Sequence, residues 1–356
     1  MTAAAAAIML IELSKPRNTG YSVDMNTITK YMIPALVIAS ALPAFSQETQ
    51  QSQEQTSPWS FSVTADFAYY PLSEYVAGGD HFAPLTGIYS GLEGRVTGHA
   101  CYTIPVPFSG NPLVKGNTVV FDNALEITPV SVMPQFSVSF TPVAFLKFTA
   151  GAKAATGWEL IGIKGMGILD DGSKTYKSLS PFNNYYLEAY ASGTFQFDTA
   201  ALWPGDWHHI VFLADYKTSC IRLSGVQDGD VWIWQGTGNR ANGWQYDANF
   251  VAGYRMPLML SMIGLNAELT GHYSASDYST VKYADYDGNF MTVNISPLAQ
   301  LKFGTKDSLY IMLGFSSRRS YAESHTSKQT ASEPYLTYSG REWFFNRVAL
   351  SYTHTF

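Results

Sequence analysis

Hydrophobic and polar positions alternate with a period of two along most of the chain after Trp59. The pattern is clearest from Trp244 to Met256. Trp244, Tyr246, Ala248, Phe250, Ala252, Tyr254 and Met256 occupy one set of positions; Gln245, Asp247, Asn249, Gly253 and Arg255 occupy the other. A strand puts successive side chains on opposite faces, so such a segment has one apolar and one polar face. Trp59, Phe61, Val63, Ala65, Phe67 and Tyr69 repeat the pattern against Ser60, Ser62, Thr64, Asp66 and Ala68. The end of the chain repeats it again: Phe356, His354, Tyr352, Leu350 and Val348 oppose Thr355, Thr353, Ser351, Ala349 and Arg347.

Cutting the alternation at turn signals predicts about twelve strands. They are Trp59 to Tyr70, Ile88 to Ile104, Val119 to Thr128, Phe136 to Thr141, Ala144 to Thr156 and Tyr185 to Asp198. The rest are His208 to Lys217, Trp244 to Met256, Leu258 to Tyr273, Phe290 to Phe303, Ser308 to Arg319 and Trp343 to Phe356. Odd-to-even connections are mostly long and even-to-odd ones mostly short, the alternation expected of a barrel with long outer loops and short periplasmic turns. Two connections depart from it. Pro105 to Thr118 is long where a short turn is expected, and Pro129 to Gln135 is short where a long loop is expected. Ten and fourteen strands are therefore the alternatives.

Composition narrows the class. The chain has Tyr 23, Phe 21 and Trp 8, with only 14% charged residues, against roughly 25% in soluble domains. Mean hydropathy is near zero, and after the N-terminal region no apolar run reaches the roughly 20 residues of a membrane helix. A transmembrane barrel reconciles these facts, because lipid-facing and lumen-facing residues cancel on averaging. The competing class is a soluble β-sandwich. Trp59, Tyr69, Tyr102, Trp158, Trp207, Trp244, Tyr254, Trp343 and Tyr352 fall near strand ends, where amphipathic rings form girdles at the headgroups. The expected fold is all-β: a transmembrane antiparallel up-and-down barrel in the outer membrane of a diderm bacterium. Phe356, with Tyr352 and Leu350, then reads as the signal for the barrel-assembly machinery, and the surrounding partner is outer-membrane lipid.

The N-terminus reads as export machinery. Residues 25–46 have Lys30, a short apolar core from Tyr31 to Ala44, and Ala44-Phe45-Ser46 at the end. That is a cleavable signal peptide. Residues 1–24 read as an upstream mis-start segment, which makes Met25 the start; an unusually long leader from Met1 is the alternative. Residues 47–58 read as a disordered polar tether, and 59–356 as the barrel. The formal charge of −6 comes without a basic run, which excludes nucleic acid. Cys101 and Cys220 fall at opposite ends of different strands, too far apart for a disulfide.

Leu113-Val114-Lys115-Gly116-Asn117, Leu125 to Val130 and Thr141 to Phe145 lie within residues 111–160. This stretch resembles a group of poorly characterised spirochaete outer-membrane barrels. The resemblance implies location and a porin-like fold and supplies no catalytic residues. His354 departs from the aromatic or apolar residue usual at that position.

Ionisable residues on the predicted inward faces are the candidate lumen lining: Glu93, Arg95, Glu126, Lys147, Lys153, Glu188, Asp215, Asp247, Arg255, Glu268, Lys302, Arg318 and Arg347. Arg or Lys facing lipid at mid-depth would cost about 2–4 kcal/mol, so these residues set the inward face. Lining a wet passage, they would make a passive channel for small polar solutes. Paired across the barrel, they would make a closed structural or adhesive barrel without transport. An outer-membrane hydrolase is the third class. His81 with Asp80, His272 and His325 can be assembled on paper, but nothing ties them to a nucleophile, and His208-His209 reads as interfacial. No catalytic residue, cofactor or metal is assigned. Asp170-Asp171-Gly172, Asp228-Gly229-Asp230 and Asp285-Tyr286-Asp287-Gly288-Asn289 read as turns rather than cation loops, since the last lacks the Glu an EF-hand requires. Gly236 to Gly243 lacks the phosphate-loop ending and reads as a flexible outer loop.

Overall fold

The computed structural model describes residues 57–106, 116–278, 286–325 and 332–356. The expected signal peptide and the Asp285 end of one acidic turn lie outside them, as does part of the spirochaete-like stretch. Twelve long strands form the wall: β1 (Trp59–Ser73), β2 (Leu85–Pro105), β3 (Thr118–Thr128), β4 (Ser131–Val143), β5 (Leu146–Gly157), β6 (Tyr186–Asp198), β7 (His209–Leu223), β8 (Gly243–Arg255), β9 (Leu260–His272), β10 (Thr292–Phe303), β11 (Asp307–Tyr321) and β12 (Tyr338–Thr355). Each pairs antiparallel with the next, and β12 closes on β1 from Ser62↔Thr355 to Tyr69↔Val348. Closure leaves no long edge with unpaired backbone groups. The loop end of β12 runs past β1, and His81–Phe82 pairs with it there, covering the remaining edge.

The two anomalous connections are real, so the count of twelve stands without correction. The β3–β4 link is only Pro129-Val130, closed by a 2.7 Å bond between the Thr128 and Ser131 hydroxyls. β4 begins five residues earlier than the alternation suggests. Pro134 disguised it, because proline is disfavoured inside sheets; here it sits on the outward face opposite Leu125. β7 likewise continues beyond Lys217 to Leu223, pairing Ile221 with Gly243.

Burial follows parity. The outward set includes Phe61, Phe67, Leu125, Phe148, Phe212 and Phe250, all exposed. The inward set differs by level. Nearest the termini, β7–β12 contribute Val211, Leu213, Val251, Met262, Leu298, Tyr310, Met312 and Ala349, which join Ala68 and Tyr70 in one buried cluster. At the same level β1, β4 and β5 present hydroxyls of intermediate exposure: Ser62, Thr64, Ser137, Ser139 and Thr149. Thr64 bonds Thr353 across the closure at 3.0 Å, and Ser139 bonds Thr149 at 2.9 Å. One side of the terminal half is thus filled with apolar side chains, and the other is polar and partly open.

Candidate functional site

A belt of buried charge crosses the middle of the barrel, and strand register builds it. Asp66 and Arg95 are direct cross-strand partners on the inward parity, so Arg95 Nε reaches Asp66 at 2.6 Å and Nη1 reaches Glu126 at 3.4 Å. Lys153 and Glu188 are partners at 3.2 Å, as are Lys217 and Asp247 at 2.9 Å; Lys217 also meets Glu188 at 3.3 Å. Opposite charges placed directly across a ladder stabilise that register. Tyr70 donates to Glu93 at 2.9 Å. Glu268 accepts from Asn266 at 3.1 Å. Arg347, buried on the inward parity of β12, lies within electrostatic range of Glu93 on β2 and Glu268 on β9. Glu126, Glu188 and Arg347 are only 4–5% exposed. Buried pairs of this kind add little net stability but penalise any arrangement that leaves one partner alone.

The other expected lining residues lie above or below this belt. Asp215 accepts from Thr194 at 2.9 Å toward the terminal end, where Lys147 also stands. Arg255 lies 3.6 Å from Asp198 at the rim of that end, with Lys302 near the end of β10. Arg318 sits at the loop end, bonded to Glu342 and stacked between Tyr75 and Phe344 at 3.5 and 4.2 Å from the ring centroids. The sequence reading missed four partners. Asp66 lay on the inward parity and was legible. Lys217 falls at the end of the alternating segment from His208, Glu342 in the connection 320–342, and Gln235 in a connection with no alternation to read.

Gln235 belongs to the cover over the loop end. Trp232–Trp234 and Thr237–Arg240 form a hairpin, and Trp232–Trp234 adds to strand Met166–Asp170, itself paired with Thr175–Ser178. Gly236 to Gly243 is therefore no flexible loop: half of it is this hairpin's second strand, and Gly243 begins β8. The turn residues Gln235 and Gly236 have φ of +48° and +78°, the left-handed pair that tight hairpins need. The hairpin folds inward. Its tip donates from Gln235 Nε2 to Glu126 Oε1 at 3.0 Å and to Ser131 Oγ at 2.9 Å. Trp232 and Trp234 are buried against Met133, Tyr186, Ile221 and Leu223. The short β3–β4 turn makes this possible, because it leaves a low rim. Trp158 N donates to Val130 O, and Gly165 N donates to Trp158 O. A Cβ on Gly165 would overlap the Val130 carbonyl oxygen, so only glycine permits this approach.

Four of the histidines considered above are held by carboxylates. His81 meets Glu342 at 3.0 Å, His272 meets Asp277 at 2.8 Å, His325 meets Glu333 at 3.4 Å and His209 meets Asp198 at 2.8 Å. Asp80 accepts from Arg341 N at 2.8 Å. The acidic fragments behave as turns: Asp170 Oδ2 accepts from Ser173 N, and Asp230 Oδ2 from Gln227 N, both at 3.0 Å. Cys101 and Cys220 are free thiols. At the chain end, Phe356 N donates to Phe61 O at 3.0 Å, and His354 bonds Asp307 at 2.7 Å.

No family profile and no curated protein matches the chain. Among solved structures, the KdgM porin is 8% identical with a TM-score of 0.34, over 83% of this chain and 99% of that one. An outer membrane channel from Pseudomonas putida F1 is 12% identical with a TM-score of 0.43, over 86% and 98%. The outer membrane channel DcaP of Acinetobacter baumannii is 9% identical with a TM-score of 0.33, over 84% and 96%. Likenesses this distant carry no weight in assigning function, and they do not bear on the spirochaete resemblance.

Proposed function

We propose that the chain is an outer-membrane barrel serving as a passive channel for small polar solutes, closed at rest by its inward-folded hairpin. The membrane reading rests on a closed sheet, which leaves no backbone unsatisfied in lipid, and on an exposed apolar outer wall. The channel reading is carried by one observation: the Gln235 tip is seated on Glu126 and Ser131, inside a polar lumen. A plug hydrogen-bonded into a charged interior is a closure for a passage. The hydroxyl-lined side of the terminal half supplies the wet end of that passage. Both termini would be periplasmic and the hairpin extracellular, with assembly directed by the strand ending at Phe356.

A second reading is favoured by the belt's burial. If the paired charges of the belt never part, the barrel is a closed anchor that displays its cover as an adhesive face. Planar-bilayer recording separates the two. Intermittent discrete conductance from folded protein supports the channel. A silent bilayer, with heat-modifiable gel migration proving the fold, refutes it and leaves the closed barrel.

A further inference from the structure

We infer that Glu126 is where closure and ion selection meet: docked, its carboxylate is capped by the Gln235 amide, and undocked, it favours cationic over anionic solutes at the mouth of the belt. The inference rests on the channel reading above. Glu126 has two oxygens with different duties. Oε2 is held by Arg95 at 3.4 Å, and Oε1 by the hairpin tip at 3.0 Å. Arg95 is itself shared, since its Nε binds Asp66 at 2.6 Å. One guanidinium therefore serves two carboxylates, and this part of the belt carries excess negative charge. Arg95 Nη2 is buried without a hydrogen-bond partner among the described residues, so the guanidinium has no further acceptor pulling it away. Among the described residues, the group bonded to Oε1 is the Gln235 amide, which leaves when the hairpin lifts.

The geometry gives a directed consequence. Lifting the hairpin exposes a carboxylate that the barrel wall neutralises only through the shared Arg95 guanidinium. A ring of charge at a constriction sets which sign of ion passes. Ser131 shares the same amide at 2.9 Å but carries no charge. Closure and selection can therefore be separated by substitution.

Gln235→Leu removes both tip bonds, and Ser131→Ala removes one. Glu126→Gln keeps an acceptor for the tip and removes the charge. The full-length protein is refolded, checked by heat-modifiable migration, and recorded in planar bilayers under a KCl gradient. A hydrogen bond to a charged group is lost in Gln235→Leu, so the open-to-closed ratio should rise about tenfold or more, with wild-type cation preference kept. Ser131→Ala should rise less, also with preference kept. Glu126→Gln should move the reversal potential toward zero. Unchanged gating in Gln235→Leu overturns the closure half, and an unchanged reversal potential in Glu126→Gln overturns the selection half. Silence of wild type and Gln235→Leu alike, with both folded, refutes the channel reading itself and the inference with it.

Discussion

Replacing Phe250 with arginine tests the face assignment on which the whole reading depends. Phe250 is outward on β8, paired with Ala214 and Ala267, and exposed. It lies five residues before the end of β8 at Arg255. At about 3.3 Å per residue that is about 17 Å along the strand. With a tilt near 45° it is about 12 Å of depth, the middle of an apolar band about 25 Å tall. Arginine there should cost about 2–4 kcal/mol, whereas Trp59→Arg at the rim should cost at most about 1 kcal/mol. The mid-depth variant thus shifts the folding equilibrium by about 30- to 700-fold. Urea titration of folding into lipid vesicles, followed by gel migration, reads both. Equal midpoints for Phe250→Arg and wild type would refute the lipid-facing wall. So would a larger loss at Trp59 than at Phe250.

Three further outcomes are expected. Met262 is fully buried in the apolar cluster, so Met262→Ala should lower stability by about 2–5 kcal/mol, read as an earlier urea midpoint with the folded band retained. Gly165→Val should loosen the cover and leave the wall intact, read as faster proteolysis between β5 and β6 with unchanged heat-modifiability; no change in cleavage would deny the close approach to Val130. Burial raises the Tyr278 phenol in the loop cover above its ordinary range and the Tyr286 phenol well above it. The folded cover then holds protons that an open one releases above about pH 10, so its stability is intact below that pH and falls as pH rises further. Protease cutting beside Tyr278 and Tyr286 should increase from pH 9 to pH 11, and Tyr286→Phe should blunt the increase; equal sensitivity of that variant would sink the assignment.

The period-two alternation, by itself, determined the wall. Parity decides which side chains meet lipid, and it is a local property, so Phe250 and Asp247 could be assigned without any knowledge of neighbours. Strand number was legible too, because loop and turn lengths alternate, and even the two exceptions proved to be true connections. Only the tertiary structure decided what the lumen does. Whether Arg95 meets Asp66 depends on register between strands about thirty residues apart, and whether Thr64 reaches Thr353 depends on closure. Gln235 carried no signal, since its role comes from a left-handed turn folding over a rim that a two-residue link keeps low. Side-chain direction within a strand is set by the backbone of that strand alone. Occlusion of the interior is set by contacts between segments distant in sequence, and these exist only once the barrel has closed.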